Sequence, residues 1–286
     1  MSKEIMEQKS KNIGRYIGLG ISIIIVILAG WLIYQYFHTI KDDESIVDDL
    51  KSKIVGTDAY KDYRPLWELN HDFVGWLKID DTPIDYPVMQ SKNDEQFYLH
   101  RNFYKQYNYE GTLFCRKNDD VIRPSDNILI YGHHMRTNTM FHCLDQYEDQ
   151  EFYENHKYIT FDTLASYGTY EVIAAFRTDV NPGHYEYWKF IESDKDKFDE
   201  YVNYAKTHST LNIDTTAEYG DKLLSLSTCA YHVKNGRFVV VAKKIESEEP
   251  PYDVDEFLKE AGIKDTRETT EYDIDNTSES SINSDK

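Results

Sequence analysis

A long apolar segment near the N-terminus is the feature that most constrains this chain. From Tyr16 to Ile40 there is no Asp, Glu, Lys or Arg. At a rise of about 1.5 Å per residue, roughly twenty helical residues cross the hydrocarbon core of a bilayer. A cleaved signal peptide is the alternative, but its apolar region is shorter and ends in small residues, whereas this run ends in bulky aromatic ones. The segment therefore predicts an uncleaved transmembrane helix over residues 16–40.

The charges that flank this segment predict its orientation. Residues 1–15 carry four basic side chains, Lys3, Lys9, Lys11 and Arg15, and the acidic stretch KDDE follows at 41–44. Basic residues beside a spanning helix stay on the cytoplasmic side of the membrane. We therefore predict a single-pass protein of the cell membrane, with residues 1–15 in the cytoplasm and everything after residue 41 outside the cell.

Composition divides the rest of the chain into three parts. Residues 41–64 form a charged linker, in which SIVDDLKSKIVG is typical of a short amphipathic helix. Residues 65–246 alternate apolar runs with turn residues and are predicted to be the folded domain. Residues 247–286 are acidic and rich in Ser and Thr, so they lack the apolar surface to offset their ordering entropy and are predicted to be disordered, with VDEFLKEAGI (254–263) as a marginal helix. A net charge of −19 leaves no basic surface for nucleic acid, and no nucleic-acid partner is expected.

Eight short runs within 65–246 have β-strand character and are separated by turn residues. They are DFVGWLKID, PIDYPVM, GTLFC, NILIYGH, YITFD, GTYEVIAAF, KLLSLSTC and RFVVVAKKI. Such a series is typical of a sandwich or barrel. Two helical patterns interrupt it: TNTMFHCLDQY, with Thr137 or Asn138 as its N-cap, and a longer stretch from about Tyr185 to His208. The fold is therefore predicted to be all-β dominated with added helices.

The chain has three cysteines, Cys115, Cys143 and Cys229. Exported domains usually use cysteines in pairs, so an odd number leaves at least one free thiol. One interpretation is that all three are buried and inert. The other is that one of them is a nucleophile. Cys229 fits that role because an apolar run ends there and the polar segment AYHVKNG follows.

A cation and a base are also available near the ends of predicted strands. Arg237 opens the run after the NG turn, so an antiparallel hairpin would bring it close to Cys229, where its guanidinium can hold a carbonyl or an oxyanion. A strand-end arginine that only solvates the surface is the alternative. His133 and His134 follow an apolar strand that ends at Gly132 and are the candidate bases. His232 is nearer to Cys229 in sequence but is the weaker candidate.

A zinc site is the rival chemistry for these side chains. The available ligands would be the three cysteines with His133, His134 or His142. However, the sequence contains no C-x-x-C, no H-x-x-x-H and no H-E-x-x-H. It also has no phosphate-binding glycine loop and no G-x-S-x-G elbow. We therefore expect no metal and no cofactor.

Three segments of the chain resemble the sortases: YGHHMRTNTMF (131–141), LSLSTCAYH (224–232) and GRFVVVAKK (236–244). The segment DFVGWLKIDDTPIDYPVMQ (72–90) and the helical insertion before the cysteine strand resemble class B sortases in particular. The resemblance runs from about residue 65 to residue 246. It implies a closed eight-stranded sortase-type β-barrel with an N-terminal helix and a long helix in an inter-strand insertion, preceded by one transmembrane helix.

The resemblance implies a cysteine transpeptidase on the outer face of a Gram-positive cell. Such an enzyme cleaves a C-terminal sorting signal after its threonine through a thioacyl-enzyme and transfers the surface protein to a cell-wall amine. By motif, Cys229 matches the nucleophile, His133 the family histidine and Arg237 the family arginine, with His134 as a neighbour that supports the loop. The implied substrate-binding residues are Tyr98, Leu99, Thr178, Asn181, Tyr185, Ser227 and Thr228.

The expected partners are surface proteins with an N-P-x-T-N-like or S/N-P-x-T-G-like sorting signal, a peptidoglycan precursor or cross-bridge amine, and the lipid bilayer. Three alternatives remain open. A pilus-polymerising sortase would take its amine from a pilin lysine. A plain cysteine protease would hydrolyse without transferring. A membrane-tethered binding module would carry out no chemistry at all.

Overall fold

The computed structural model describes residues 2–57, 60–230 and 233–263, and within the first helix the side chains of 16–34 and from 45 onward. His232 and the predicted tail from residue 264 lie outside the described residues. The chain forms two compact units, residues 1–49 and the part that begins at Leu50.

The first helix, α1, runs from Ser2 to Lys53. It contains the stretch Tyr16–Tyr34, whose 19 residues have a mean hydropathy of 2.5 and are not buried in the protein. This stretch is long and apolar enough to cross a bilayer. The sequence predicted an anchor over 16–40 followed by a separate short helix, whereas the structure has one continuous helix. No Gly or Pro interrupts residues 31–53, so nothing in that segment breaks the helix.

The remaining elements follow in chain order. They are β1 (Val55–Thr57), β2 (Tyr60–Asp62), α2 (Arg64–Leu69), β3 (Phe73–Lys78), β4 (Asp85–Met89), a 3-10 helix (Phe97–His100), β5 (Leu113–Cys115), β6 (Asn127–Tyr131), a 3-10 helix (His142–Glu148), α3 (Gln150–Asn155), β7 (Tyr158–Thr163), β8 (Tyr167–Asp179), a 3-10 helix (Tyr187–Lys189), α4 (Lys195–His208), β9 (Leu223–Cys229), β10 (Gly236–Glu248) and α5 (Val254–Glu260).

Eight of these strands close into a barrel in the order β10-β8-β7-β3-β4-β5-β6-β9. The pairs β4–β5 and β6–β9 are parallel, and the other adjacent pairs are antiparallel. Strands β1 and β2 form a separate antiparallel pair. The predicted closed eight-stranded barrel is confirmed, and each of the eight predicted runs supplies one strand.

The strands on one side of the barrel are buried on both faces. Alternate residues of β9 and β10, including Leu224, Leu226, Phe238 and Val240, belong to the cluster that fills the barrel. The residues between them belong to a second cluster with α4: Leu223, Val239, Val241, Phe198, Tyr201 and Val202. Since side chains alternate between faces along a strand, α4 covers the outer face of these strands. This double burial explains why the two sequences read as continuous apolar runs.

Both predicted helices in the folded domain differ from the structure. The long helix begins at Lys195, ten residues later than predicted, because the side chain of Asp194 caps it by accepting a bond from the Lys197 amide at 3.0 Å. In the shorter segment, Asn138 and Met140 have φ angles of 63° and 54°, which no helix accommodates. That segment is a turn followed by the 3-10 helix His142–Glu148.

The first part of the predicted disordered tail is folded. Strand β10 continues to Glu248, and α5 follows with Asp253 as its N-cap. Leu258 of α5 is only 3% exposed, and Phe257 packs edge-on against Trp67 with 5.4 Å between ring centroids. Helix α5 lies within the predicted marginal helix 254–263, and this part of the tail is folded because its apolar side chains find partners on the domain. The other predicted domain boundaries stay predictions.

Candidate active site

Three side chains form a row across the ends of three strands. Cys229, the last residue of β9, is paired with Arg237 on β10. Arg237 is in turn paired with Thr178 on β8. Directly paired residues project from the same face of a sheet, so the thiol, the guanidinium and the hydroxyl lie side by side. The antiparallel hairpin that the sequence predicted for Cys229 and Arg237 is the arrangement found.

The three cysteines differ in their access to solvent. All three are free thiols; Cys115 and Cys143 are buried, whereas Cys229 is partly exposed. Burial raises the pKa of the Cys143 thiol to about 11 and raises the pKa of Cys115 still further. Buried thiols with a raised pKa make poor nucleophiles, so Cys229 is the one cysteine placed for chemistry.

His133 reaches the same end of the barrel through the parallel pairing of β6 and β9. The last pair of that ladder is Tyr131 with Ser227. The amide of Gly132 then donates to the Ser227 carbonyl at 3.2 Å, which keeps the chain alongside β9. His133 and Cys229 each lie two residues beyond the Tyr131–Ser227 pair. Because the strands run in the same direction, these two residues leave the barrel together.

Gly132 makes this approach possible. A Cβ at this position would lie 2.5 Å from Leu113 Cδ2 and 2.6 Å from Phe141 Cδ2. The hydroxyl of Thr228 donates to the Gly132 carbonyl at 2.8 Å. The backbone before His133 is therefore fixed from both sides, and a larger residue would displace the imidazole.

The imidazole of His133 has a defined orientation. Its Nε2 lies 2.8 Å from the carbonyl oxygen of Leu99. A carbonyl can only accept, so Nε2 carries the hydrogen and Nδ1 is the nitrogen left for proton transfer. Burial lowers the pKa of His133, and the charge of His100 lowers it as well, while the hydrogen bond to Leu99 acts in the opposite direction. The ring is therefore neutral at neutral pH and can serve as a base.

His134 belongs to a different cluster. Its Nε2 lies 3.1 Å from Asp145 Oδ2, and its ring packs against His142 with 4.6 Å between centroids. Among the residues that the structure describes, no group of three or more His, Cys, Asp and Glu side chains is arranged to hold a metal ion.

The wall on the β8 side of the row is aromatic. The hydroxyls of Thr178 and Tyr204 lie 3.1 Å apart, and the ring of Tyr185 stacks on Tyr204 at 4.0 Å. Asn181 ties this wall to the turn before Arg237, because its Nδ2 donates to the Lys234 carbonyl at 3.1 Å. Asn181 and Tyr185 are partly exposed and remain available to a ligand.

Four of the predicted substrate contacts are buried, and Thr178, at 8% exposed, is one of them. Tyr98 has no exposed surface, and its hydroxyl donates to Asp72 Oδ2 at 2.8 Å, so its side chain offers no free surface in this structure. Ser227 and Thr228 are 1% and 2% exposed. They shape the backbone before Cys229 rather than offering a free surface. Leu99 is partly exposed, and its carbonyl accepts the bond from His133.

Sequence reasoning missed Tyr187, which lies directly beside the row. Its hydroxyl is 2.8 Å from the Ser227 hydroxyl, and its side chain is 1% exposed. Burial raises the pKa of Tyr187 to about 12, so the phenol stays neutral. Forty residues separate it from Ser227, and nothing local in the sequence marks the contact.

Known proteins resemble this chain over most of its length. The sortase domain family matches residues 77–245. Sortase B of Staphylococcus aureus is 32% identical over 234 residues, which span 78% of this chain and 93% of that protein. Sortase B of Listeria monocytogenes is 30% identical over 242 residues, or 79% of this chain and 97% of that protein.

Solved structures show the same likeness. A crystal structure of S. aureus sortase B superposes with a TM-score of 0.65 at 30% identity, covering 72% of this chain and 98% of that one. Clostridium perfringens sortase B superposes with a TM-score of 0.60 at 31% identity, covering 65% of this chain and 100% of that one.

Proposed function

The chain belongs to the class B sortases, which are transpeptidases that anchor surface proteins, and on that premise we propose how its own residues carry the reaction. Cys229 is the nucleophile, His133 transfers the protons and Arg237 stabilises the oxyanion. The observation that carries this assignment is the alignment of the three residues at one end of the barrel. Cys229 is paired with Arg237, and His133 leaves the parallel neighbour strand at the same level.

In the first half-reaction, Nδ1 of His133 takes the proton of the Cys229 thiol as the sulfur attacks the threonine carbonyl of the sorting signal. The carbonyl electrons move onto oxygen and then re-form the double bond as the carbon–nitrogen bond breaks. The imidazolium returns the proton to the departing amine. A thioacyl-enzyme on Cys229 remains.

Arg237 is placed to stabilise the tetrahedral intermediate. Its Nη1 donates to the carbonyl of Gly236 at 2.9 Å, which holds the planar guanidinium beside the end of β9. A guanidinium has five N–H donors and stays charged at any working pH. Donors already in position when charge develops on the substrate oxygen lower the barrier without reorganisation.

In the second half-reaction, an acceptor amine attacks the thioester. Nδ1 of His133 takes a proton from the attacking nitrogen and delivers it to the departing Cys229 sulfur. The threonine is then joined to the acceptor. Water can take the place of the amine, so slow hydrolysis accompanies transfer.

The substrates we propose are a surface protein with an N-P-x-T-N-like or S/N-P-x-T-G-like signal and an amine of a peptidoglycan precursor or cross-bridge. Sortase B of S. aureus has been solved in a substrate complex, and a sortase B has been solved with a triglycine. These complexes support a peptide substrate and an amine-bearing peptide as acceptor. The sorting peptide would lie against Leu99, Asn181 and Tyr185, with the buried Thr178, Ser227 and Thr228 beneath it.

We further propose that α1 spans the lipid bilayer with its N-terminus in the cytoplasm and the barrel outside. Cys229 should then react with a membrane-impermeant thiol reagent on intact cells. A cysteine introduced by Lys3→Cys in a Cys229→Ala background should be protected until the cells are lysed. The opposite labelling pattern would reverse the orientation.

The reaction is tested with the full-length chain in detergent micelles. Quenched peptides of both signal classes are supplied with and without triglycine, and mass spectrometry follows the thioacyl adduct and the products. Cys229→Ala should abolish cleavage, whereas Cys143→Ala, which removes a buried thiol, should retain it. Cleavage by Cys229→Ala at the parent rate would refute the assignment.

The products separate the alternatives. Hydrolysis that triglycine never diverts indicates a cysteine protease. A preference for a lysine side chain presented by a pilin-type peptide indicates a pilus-polymerising enzyme. A chain that binds the peptide without forming any adduct is a binding module.

A further inference from the structure

An aromatic surface extends from His133 on the side away from Cys229. We call it the tyrosine shelf, and it consists of His100, Tyr107 and Tyr109. These residues lie in the segment that leads into β5, which is the neighbour of β6 on the side opposite β9. The shelf therefore flanks the catalytic imidazole, whereas the Thr178–Tyr185 wall flanks Arg237.

The rings of the shelf are close together and open to solvent. The ring centroid of His100 lies 5.3 Å from that of His133, 6.5 Å from that of Tyr107 and 6.4 Å from that of Tyr109. The interplanar angles are between 22° and 34°. Tyr107 is 80% exposed and Tyr109 is 58% exposed, whereas six other tyrosines rank among the largest fully buried side chains. Exposed aromatic groups clustered beside a reactive residue indicate a binding surface.

The backbone beneath the shelf is fixed. Asn108 is 3% exposed, and its Oδ1 accepts from the amides of Glu110 at 2.7 Å and Gly111 at 3.2 Å. Its own amide donates to the His100 carbonyl at 3.1 Å. Tyr107 and Tyr109 flank this buried residue and are themselves exposed. The backbone that carries the two rings is fixed before any ligand arrives, which reduces the entropy lost on binding.

The acceptor of the proposed reaction has a chemistry that suits these rings. A primary amine in water near neutral pH is mainly an ammonium ion, and it must lose a proton before it can attack. The faces of tyrosine rings attract ammonium groups through their quadrupole. The net charge of −19 adds a general attraction for cations. A cation held on the shelf lies next to the imidazole that removes its proton.

We propose that the tyrosine shelf binds the ammonium group of the acceptor substrate and presents it to His133. This inference rests on the proposed transpeptidation and names the site of its second substrate. The sorting peptide lies between Leu99 and the Thr178–Tyr185 wall, whereas the acceptor enters over Tyr107 and Tyr109, on the side of His133 away from Cys229.

The test compares aminolysis with hydrolysis of the same acyl-enzyme. With the full-length enzyme and a fixed sorting peptide, the double variant Tyr107→Ala/Tyr109→Ala should hydrolyse the peptide at the parent rate. The triglycine concentration for half-maximal aminolysis should rise about tenfold, the effect of losing a cation–π contact of moderate strength. Tyr107→Phe/Tyr109→Phe keeps both rings and should behave as the parent. Tyr158→Ala, which removes a 55% exposed tyrosine from β7, is the matched control.

A second measurement probes the cation directly. Tetramethylammonium chloride has no nucleophilic nitrogen, so it should inhibit aminolysis by triglycine in competition with it and leave hydrolysis unchanged. Sodium chloride at the same ionic strength should do neither. The double Ala variant should lose this inhibition.

Two outcomes would contradict the proposal that the tyrosine shelf binds the acceptor. Equal losses of hydrolysis and aminolysis in the double Ala variant would show that the shelf serves the sorting peptide or the fold. An unchanged triglycine dependence would show that it binds no acceptor. If the parent enzyme itself forms no acyl-enzyme, the proposed reaction fails instead, and the two failures are distinguished by the parent control.

Discussion

Cys229 and Arg237 occupy paired positions on adjacent antiparallel strands of the barrel. Adjacent strands lie about 4.8 Å apart, so the hairpin itself sets the separation of thiol and guanidinium. No loop closure is needed to bring these two groups together. The catalytic geometry is therefore as rigid as the barrel, and His133 is the member of the site that depends on neighbouring loops.

Replacement of Arg237 tests its role in charge stabilisation. We expect Arg237→Ala to lower kcat for peptide cleavage about 10²–10³-fold, the usual cost of losing one oxyanion donor. Arg237→Lys should recover little, because an ammonium lacks the planar fork that the strand geometry presents. Initial rates with a quenched sorting peptide measure the effect, and thermal unfolding should show that the fold is intact. Parent-like activity of Arg237→Lys would mean that only charge matters.

The lowered pKa of His133 predicts the pH dependence of acylation. The ring must be neutral to accept the thiol proton, and burial together with His100 keeps it neutral down to a pH below the usual histidine value of about 6.5. The single-turnover rate of acyl-enzyme formation should therefore be undiminished at pH 6.5, the ordinary histidine pKa, and should fall only at lower pH. Stopped-flow measurements across this range give the acid limb of the pH–rate profile, which is the pH range in which the rate falls as the solution becomes more acidic.

A variant of the neighbouring residue tests the cause of that limb. His100→Asn removes the charge that opposes protonation of His133, so the limb should move to higher pH. A limb above the ordinary histidine value in the parent enzyme would indicate that His133 acts from its charged form. An unmoved limb in His100→Asn would leave burial as the sole cause.

The sequence was sufficient for features that depend on neighbouring residues. Apolar runs between turn signals specify the eight strands, and the NG turn specifies the hairpin that pairs Cys229 with Arg237. It was not sufficient for contacts between distant segments. The bond from His133 to the Leu99 carbonyl spans 34 residues and exists only once the barrel has closed.

The same limit applies to the burial of Tyr98. Tyr98 and Leu99 are adjacent, and the sequence does not say which of the two faces the core. The tertiary fold decides it, because Tyr98 finds the buried Asn70 and the partly exposed Asp72 as partners for its hydroxyl. In contrast, the start of α4 could have been read from Asp194, since an Asp before a helical pattern is a common N-cap.

Removal of the Tyr187 hydroxyl should destabilise the buried contact with Ser227 next to the active site. Tyr187→Phe leaves the Ser227 hydroxyl buried without its partner, so the free energy of unfolding should fall by about 1–3 kcal/mol. Adding Ser227→Ala removes the unpaired group and should restore part of that loss. Denaturant titrations of the two single variants and the double variant measure the coupling. Strictly additive losses would show that the hydroxyl pair does not interact.

A buried ion pair lies in the β5–β6 connection, and its arginine also bonds the insertion that carries Tyr187. Arg116 and Asp119 have side chains 3% and 0% exposed and lie 2.8 Å apart. Arg116 also donates to the carbonyls of Trp188 at 2.8 Å and Phe190 at 2.7 Å. One guanidinium thus compensates a buried carboxylate and holds the backbone at the C-terminal end of the third 3-10 helix.

Breaking this pair should cost far more than breaking an exposed one. Arg116→Met leaves Asp119 buried without its cation, so the free energy of unfolding should fall by about 3–5 kcal/mol. Arg177→Met, which breaks the partly exposed pair with Glu148, should cost at most about 1 kcal/mol.

The cost of breaking the buried pair should depend on pH. Burial raises the pKa of Asp119 to about 6 in the folded protein, whereas an aspartate in the unfolded chain has a pKa of about 4. Between these two pH values the carboxyl is protonated in the folded protein and ionised in the unfolded chain. The loss in Arg116→Met should therefore be larger at about pH 7.5 than at about pH 5, where the carboxyl is protonated. A loss independent of pH would mean that the missing bonds to the insertion, rather than the uncompensated charge, account for it.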